Sequence, residues 1–120
     1  MIFELTGTIL IPTAQTAVDL YLGTKVNGRI HAIFIDIGDL TTPSIVFTGE
    51  TTGVPILTEV ASGWYYPRAF ANEVANGDVE TVGVSEDIYV LNERIKVAVT
   101  SAIAAETGEV RVYVDLPPAY

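Results

Sequence analysis

Few residues in this 120-residue chain could do chemistry: there is one histidine, His31, no cysteine, and the fifteen carboxylates are scattered. His31 stands two residues after Arg29 in an apolar, alternating stretch, so the two share a face, and Asp36 and Asp39 follow close behind. An imidazole near carboxylates is the raw material of a general base or a metal centre. A base needs one positioned partner and a metal needs several converging ligands, and this spacing provides neither. His31 therefore reads as a partly exposed strand histidine. The carboxylate pairs Asp36 with Asp39 and Glu86 with Asp87 invite comparison with glycoside hydrolysis, which needs two such groups facing each other across a cleft. A sandwich of this size has little room for one. Neither pair sits in the alternating acidic pattern of a calcium loop, so solvated loop carboxylates are expected. Ser44, Ser62, Ser85 and Ser101 lack the context of a nucleophile elbow, and no glycine-rich phosphate loop occurs. The expectation is a protein without catalytic residues, cofactor or metal.

The other notable cluster is aromatic. Gly63-Trp64-Tyr65-Tyr66-Pro67-Arg68 gathers residue types that dominate protein interfaces and sugar-stacking platforms. In an extended chain Trp64 and Tyr66 fall on one side and Tyr65 on the other. Trp64 is expected inside, with Tyr65 and Arg68 facing a partner. Tyr66, Tyr113 and Tyr120 complete the set of candidate interface residues.

The elements that must position these groups are strands. Phe3, Leu5, Ile9 and Ile11 alternate with Glu4, Thr6 and Thr8 until Pro12, which reads as a mature first strand rather than a secretory signal. Val18, Leu20 and Leu22 repeat the pattern, Lys25–Gly28 reads as a turn, and Gly28–Ile37 reads as a central strand. Ser44–Thr48 and Pro55–Val60 are shorter strands around Gly49–Gly53, where a hairpin and a sheet-to-sheet crossing both fit. Pro67 places the aromatic run at a sheet edge or corner. Ala71–Asp87, with its Asn76-Gly77-Asp78 turn signal, reads as a long loop. Arg94–Thr100 and Glu109–Leu116 close the chain. The expected core includes Phe3, Leu5, Ile9, Phe34, Trp64, Val97, Val99, Val112 and Val114.

About eight strands at this spacing predict an antiparallel β-sandwich, with jelly-roll and immunoglobulin-like connections both open. It forms one domain over residues 1–116, followed by a tail at 117–120 that carries two prolines. A formal net charge of −9 argues against nucleic acid as partner, and no apolar run reaches the ~20 residues of a membrane-spanning helix. The 49% of hydrophobic residues must fill a core or an interface. The absence of cysteine fits a reducing compartment and equally an assembly that survives outside a cell.

Leu57–Arg68, with its Gly-Trp-Tyr-Tyr-Pro-Arg string, resembles a group of small all-β virion proteins of tailed bacteriophages that are encoded among head and neck genes. Gly28–Asp36 is similar to the group's central strand, and Arg94–Thr100 with Glu109–Leu116 to its closing pair, so the resemblance spans most of residues 28–116. It implies a structural role in the virion, assembled in the host cytoplasm: a copy-rich homo-oligomer decorating or cementing the capsid against the major capsid protein. Placement among neck or tail proteins is the close alternative, and a carbohydrate-binding module stacking sugars on Trp64, Tyr65 and Tyr66 a further one. The resemblance supplies no catalytic residues.

Overall fold

A computed structural model describes residues 1–71 and 84–116, with the backbone alone at Ala69–Ala71 and Val84–Glu86. Tyr120 with the rest of the tail, and most of the expected Ala71–Asp87 loop, lie outside the described residues. The strands are β1 (Ile2–Leu10), β2 (Ala17–Asp36), β3 (Ser44–Gly49), β4 (Pro55–Glu59), β5 (Gly63–Tyr65), β6 (Ala69–Ala71), β7 (Val84–Glu86), β8 (Tyr89–Thr100) and β9 (Thr107–Asp115). The fold is all-β and every pairing is antiparallel. β6 and β7 form a small separate ladder.

The other seven strands form one sheet folded over on itself, because β2 belongs to both layers. Its first half, Ala17–Arg29, pairs with β8, while Arg29–Asp36 pairs with β9 and Ile33–Ile35 also pairs with β5. Sheet I is therefore β1-β9-β2-β5, and sheet II is β2-β8-β3-β4. The expected turn at Lys25–Gly28 is corrected to a bulged bend inside a single strand. Gly23 takes φ 57°, and register shifts fall between Leu22 and Val26 and between Val26 and Asn27, yet pairing with β8 continues on both sides. With pairing to β8 on both sides of it, the bend turns the strand from one layer into the next, and only residues 23–25 lack a β8 partner.

The inward residues of both sheets meet in one apolar cluster. Leu5, Ile9, Val97, Val99, Val112 and Val114 are all buried there, with Ile30, Ile33, Ile35, Ile45, Phe47 and Ile95 among them. Each such side chain contributes roughly 1.5–3 kcal/mol by leaving water. Phe3 is a correction: it has the inward parity of Leu5 and Ile9 but is 40% exposed. Gly7 and Leu5 meet the opposite layer at Leu22 and Gly23, where β2 starts to bend, and Phe3 lies two residues beyond that contact.

Sheet II contains a buried charge that the sequence did not advertise. Glu93 is only 2% exposed, on β8 beside the β3–β4 connection. Its Oε1 accepts from the Thr51 and Thr52 N–H groups at 3.0 and 3.1 Å, and its Oε2 from the Thr52 hydroxyl at 2.9 Å. Burial alone would raise the Glu93 pKa, but these bonds from Thr52 and Thr51 outweigh it and hold the carboxyl below its usual range. The carboxylate thus organises a hairpin, which resolves the alternative left open at Gly49–Gly53. Gly49 makes room for it, since a Cβ there would run into the Glu93 carboxylate.

Candidate docking face

One irregularity in β2 decides which side chains reach the surface of sheet I. Against β9, Ile30 pairs with Val114 and Ala32 with Tyr113, so His31 is the extra residue of a bulge. Before it, even-numbered Ile30 points inward; after it, odd-numbered Ile33 and Ile35 do. Phe34 is thereby turned to the outer face, where it is half-buried. Cross-strand partners share a face, so the register Phe34–Trp64 and Ile33–Tyr65 carries the switch into β5. Three expectations are corrected by this one bulge. Phe34 and Trp64 are not core residues, Trp64 being 53% exposed, and Tyr65 packs instead against the core.

The outcome is a contiguous aromatic surface. The Phe34 and Trp64 rings lie 5.0 Å apart with planes tilted by 46°, and Trp64 and Tyr113 lie 5.6 Å apart at 32°. Such tilted pairs hold each ring in place. The Arg111 guanidinium sits 5.7 Å from the Phe34 ring centre, and its Nε donates to Glu109 at 3.2 Å. Next to the rings, Ile2, His31, Ala32, Trp64, Tyr66 and Tyr113 line a shallow open groove of about 310 Å³. On its β1 side, hydrogen bonds from Tyr113 and then Thr6 hold the Glu4 carboxyl below its ordinary range.

The candidate interface residues divide. Tyr66 and Tyr113 line the groove. Tyr65 does not: its hydroxyl donates to the Ala61 carbonyl at 2.7 Å, and burial, then the nearby Glu59 charge, push its pKa up. Arg68 is taken up in an ionic cluster at the far end of the sheet. Its Nε lies 3.4 Å from Asp87, which also faces Arg29 at 3.7 Å, and Arg29 in turn binds Asp115 at 3.2 Å beside the N-terminal ammonium. Arg29 and then the N-terminus hold the Asp115 carboxyl low. Tyr120 lies outside the described residues. Ile2, Phe34 and His31 are members of the face that the sequence reading did not select, and the bulge that exposes Phe34 has no marker in the residue pattern.

Four of the residues weighed at the outset, Asp36, Asp39, Ser62 and Ser101, serve as loop fasteners. Asp36 accepts from the Gly38 N–H at 2.9 Å, Asp39 from the Thr107 N–H at 2.6 Å, and Ser62 from the Ile37 N–H at 3.0 Å. Ser101 is buried, its single hydroxyl proton within reach of the Thr41 carbonyl at 3.2 Å and of Glu106 at 3.1 Å, while Glu106 accepts from the Thr41 N–H at 2.9 Å. His31 lies five residues along β2 from Asp36, about 16 Å at strand rise, so the two share no site. The side chains of Ser85 and Glu86 lie outside the described part. Among the described residues no group of three or more His, Cys, Asp or Glu is placed to hold a metal ion, and no helix is long and apolar enough to cross a membrane. No family model, curated protein or solved structure matches this chain.

Proposed function

We propose that this chain is a structural protein that works by docking, and that its setting is the virion of a tailed phage, where it decorates or cements the capsid by binding the major capsid protein. The observation that carries the docking reading is the ring array on sheet I, with Trp64 at its centre, open to solvent and already stacked on Phe34 and Tyr113. Tryptophan and tyrosine supply most of the energy of protein interfaces, and rings fixed before binding lose little entropy on contact. A partner covering the groove and its rim buries on the order of 800 Å² of this chain, the usual scale of a specific interface. With a net charge of −9, a basic or neutral patch on the partner favours encounter. The setting comes from the resemblance of residues 28–116 to small virion proteins, and neck or tail placement is the alternative within it.

The test is the copy number of this polypeptide in purified virions, by quantitative mass spectrometry against the major capsid protein. On the order of hundreds of copies supports shell decoration, and about six or twelve supports the neck or tail, as closed symmetric assemblies require. Absence from the particle overturns the virion reading. The exposed stacked rings also favour a second reading, a sugar-stacking module. Trp64 is the one tryptophan, so glycan binding there shifts its emission, and no change across a broad glycan panel removes that reading.

A further inference from the structure

The main-chain geometry of β1 shows what its free edge offers. The Leu116 N–H donates to the Met1 carbonyl at 2.8 Å, and the Met1 ammonium lies 3.4 Å from the Leu116 carbonyl, so these two residues form a hydrogen-bonded pair. Ile11, at the other end, donates to Glu106 at 3.0 Å. By alternation the odd-numbered residues of β1 turn their polar groups to β9, and Ile2, Glu4, Thr6, Thr8 and Leu10 turn theirs outward. Among the described residues β1 pairs with β9 alone.

Open strand edges are normally blunted, as β4, β5 and the open stretch of β2 are here. β4 is five residues long and begins with Pro55; β5 is three residues long and is followed by Pro67. The open stretch of β2 carries Asp19 and Lys25 and is broken by two register shifts. β1 lacks the shortness, the proline and the register breaks of these edges. Its nine residues keep unbroken register with β9, contain no proline and no basic residue, and have one charge, Glu4.

β1 is also complementary to itself. With a two-fold axis at Thr6, Thr6 faces Thr6, Glu4 faces Thr8, and Ile2 faces Leu10 of the second copy. All five outward residues then pair with one another, giving about ten main-chain hydrogen bonds. Ile2 and Leu10, 48% and 56% exposed, cover each other at both ends. Sliding the axis to Glu4 would set like charges opposite and leave Leu10 unmatched. From this geometry we infer that two copies of the chain join edge to edge through antiparallel β1–β1 pairing, extending sheet I across the dyad. The dimer takes up Ile2 at the β1 rim of the groove but leaves Trp64 and Tyr66 uncovered, because β9 and β2 separate β5 from β1 in the sheet. Its failure would therefore leave the docking reading standing, and the reverse.

The experiment is sedimentation velocity on the purified full-length chain from about 1 to 100 µM, a range that spans micromolar dissociation constants. A dimer is expected. Thr8→Glu sets a carboxylate against Glu4 twice across the dyad and should weaken the dimer by about tenfold, whereas Thr8→Lys should keep or tighten it. Thr6→Pro removes an N–H that points away from β9 and should give a monomer that is folded by circular dichroism. Should Thr6→Pro fail to fold, the Thr8 pair still decides. A monomer throughout the range, an oligomer of odd copy number, or a dimer equally tight in Thr8→Glu and Thr8→Lys overturns the inference.

Discussion

The two outer faces of the sandwich treat their aromatic and charged residues in opposite ways. On sheet II the two basic side chains of β8, Arg94 and Lys96, are each paired with a nearby carboxylate. Arg94 forms a two-pronged pair with Glu50 and lies 4.7 Å from the Tyr21 ring centre, and Lys96 reaches Asp19 at 3.7 Å. Its one buried carboxylate, Glu93, is fully bonded to the hairpin turn. On sheet I the aromatic residues are massed rather than isolated, and the ring at their centre is left uncovered. A face whose polar groups are mutually satisfied gains little from a partner, whereas a rigid apolar array in water gains by being covered. Stability should therefore reside in sheet II and the core, and recognition in sheet I.

That division can be tested by substitutions whose effects fall on one property or the other. Phe47→Ala, in the core beneath β3, should lower unfolding free energy by about 3–5 kcal/mol in a urea titration, and should affect docking only through the folded fraction. Glu93→Gln should cost about 1.5–3 kcal/mol, because a charge-assisted acceptor is replaced by a neutral amide in a buried site. The same residue sets a pH dependence. Its folded pKa is lowered from 4.5, so its contribution is complete above that value and is lost as pH falls through the folded pKa. The stability gap between the native chain and Glu93→Gln should close on acidification. A gap that stays constant would show that the carboxylate is not what holds the turn. Half-buried Glu50 and Asp115, held low by Arg94 and Arg29, shift in the same sense and are common to both proteins.

Trp64→Ala should reverse the pattern, changing stability by about 1 kcal/mol or less, since much of the ring already lies in water, while weakening attachment to the partner by at least about tenfold. Lys96→Gln is the smallest expected effect, within about 0.5 kcal/mol in stability and with no change in docking. Loss of docking by Lys96→Gln would mean that the polar face is the recognition surface.

Much of this architecture was legible in the residue pattern. Period-two alternation found β1, the first half of β2 and β9, with the valines of β8 and β9 that line the core, while the second half of β2 was found as an apolar run and β3 and β4 as shorter strands. What the pattern hid were the places where a strand keeps pairing through an irregularity. At Lys25–Gly28 the bulged bend looks like a turn, because glycine and polar residues suit both. At Asn92, with φ 50°, a bulge flips the inward parity from Val90 to Glu93, so the start of β8 did not read as strand. At His31 the same flip moved Phe34 and Trp64 from core to surface. A bulge costs no recognisable residue type, so alternation counted across it assigns the wrong face. The aromatic run was found as a cluster, but which ring faces out depends on β2, some thirty residues away. Glu93 was missed because an acidic residue carries no sign that main-chain donors await it.

The most direct test of the docking face is uptake of the purified chain by virion shells prepared without it, measured for the native protein, Trp64→Ala and Lys96→Gln. Saturable uptake of the native chain and Lys96→Gln, with at least about tenfold weaker binding by a folded Trp64→Ala, is the expected result for an anchor at the centre of an interface. Equal binding by all three would contradict the assignment of sheet I as the docking face.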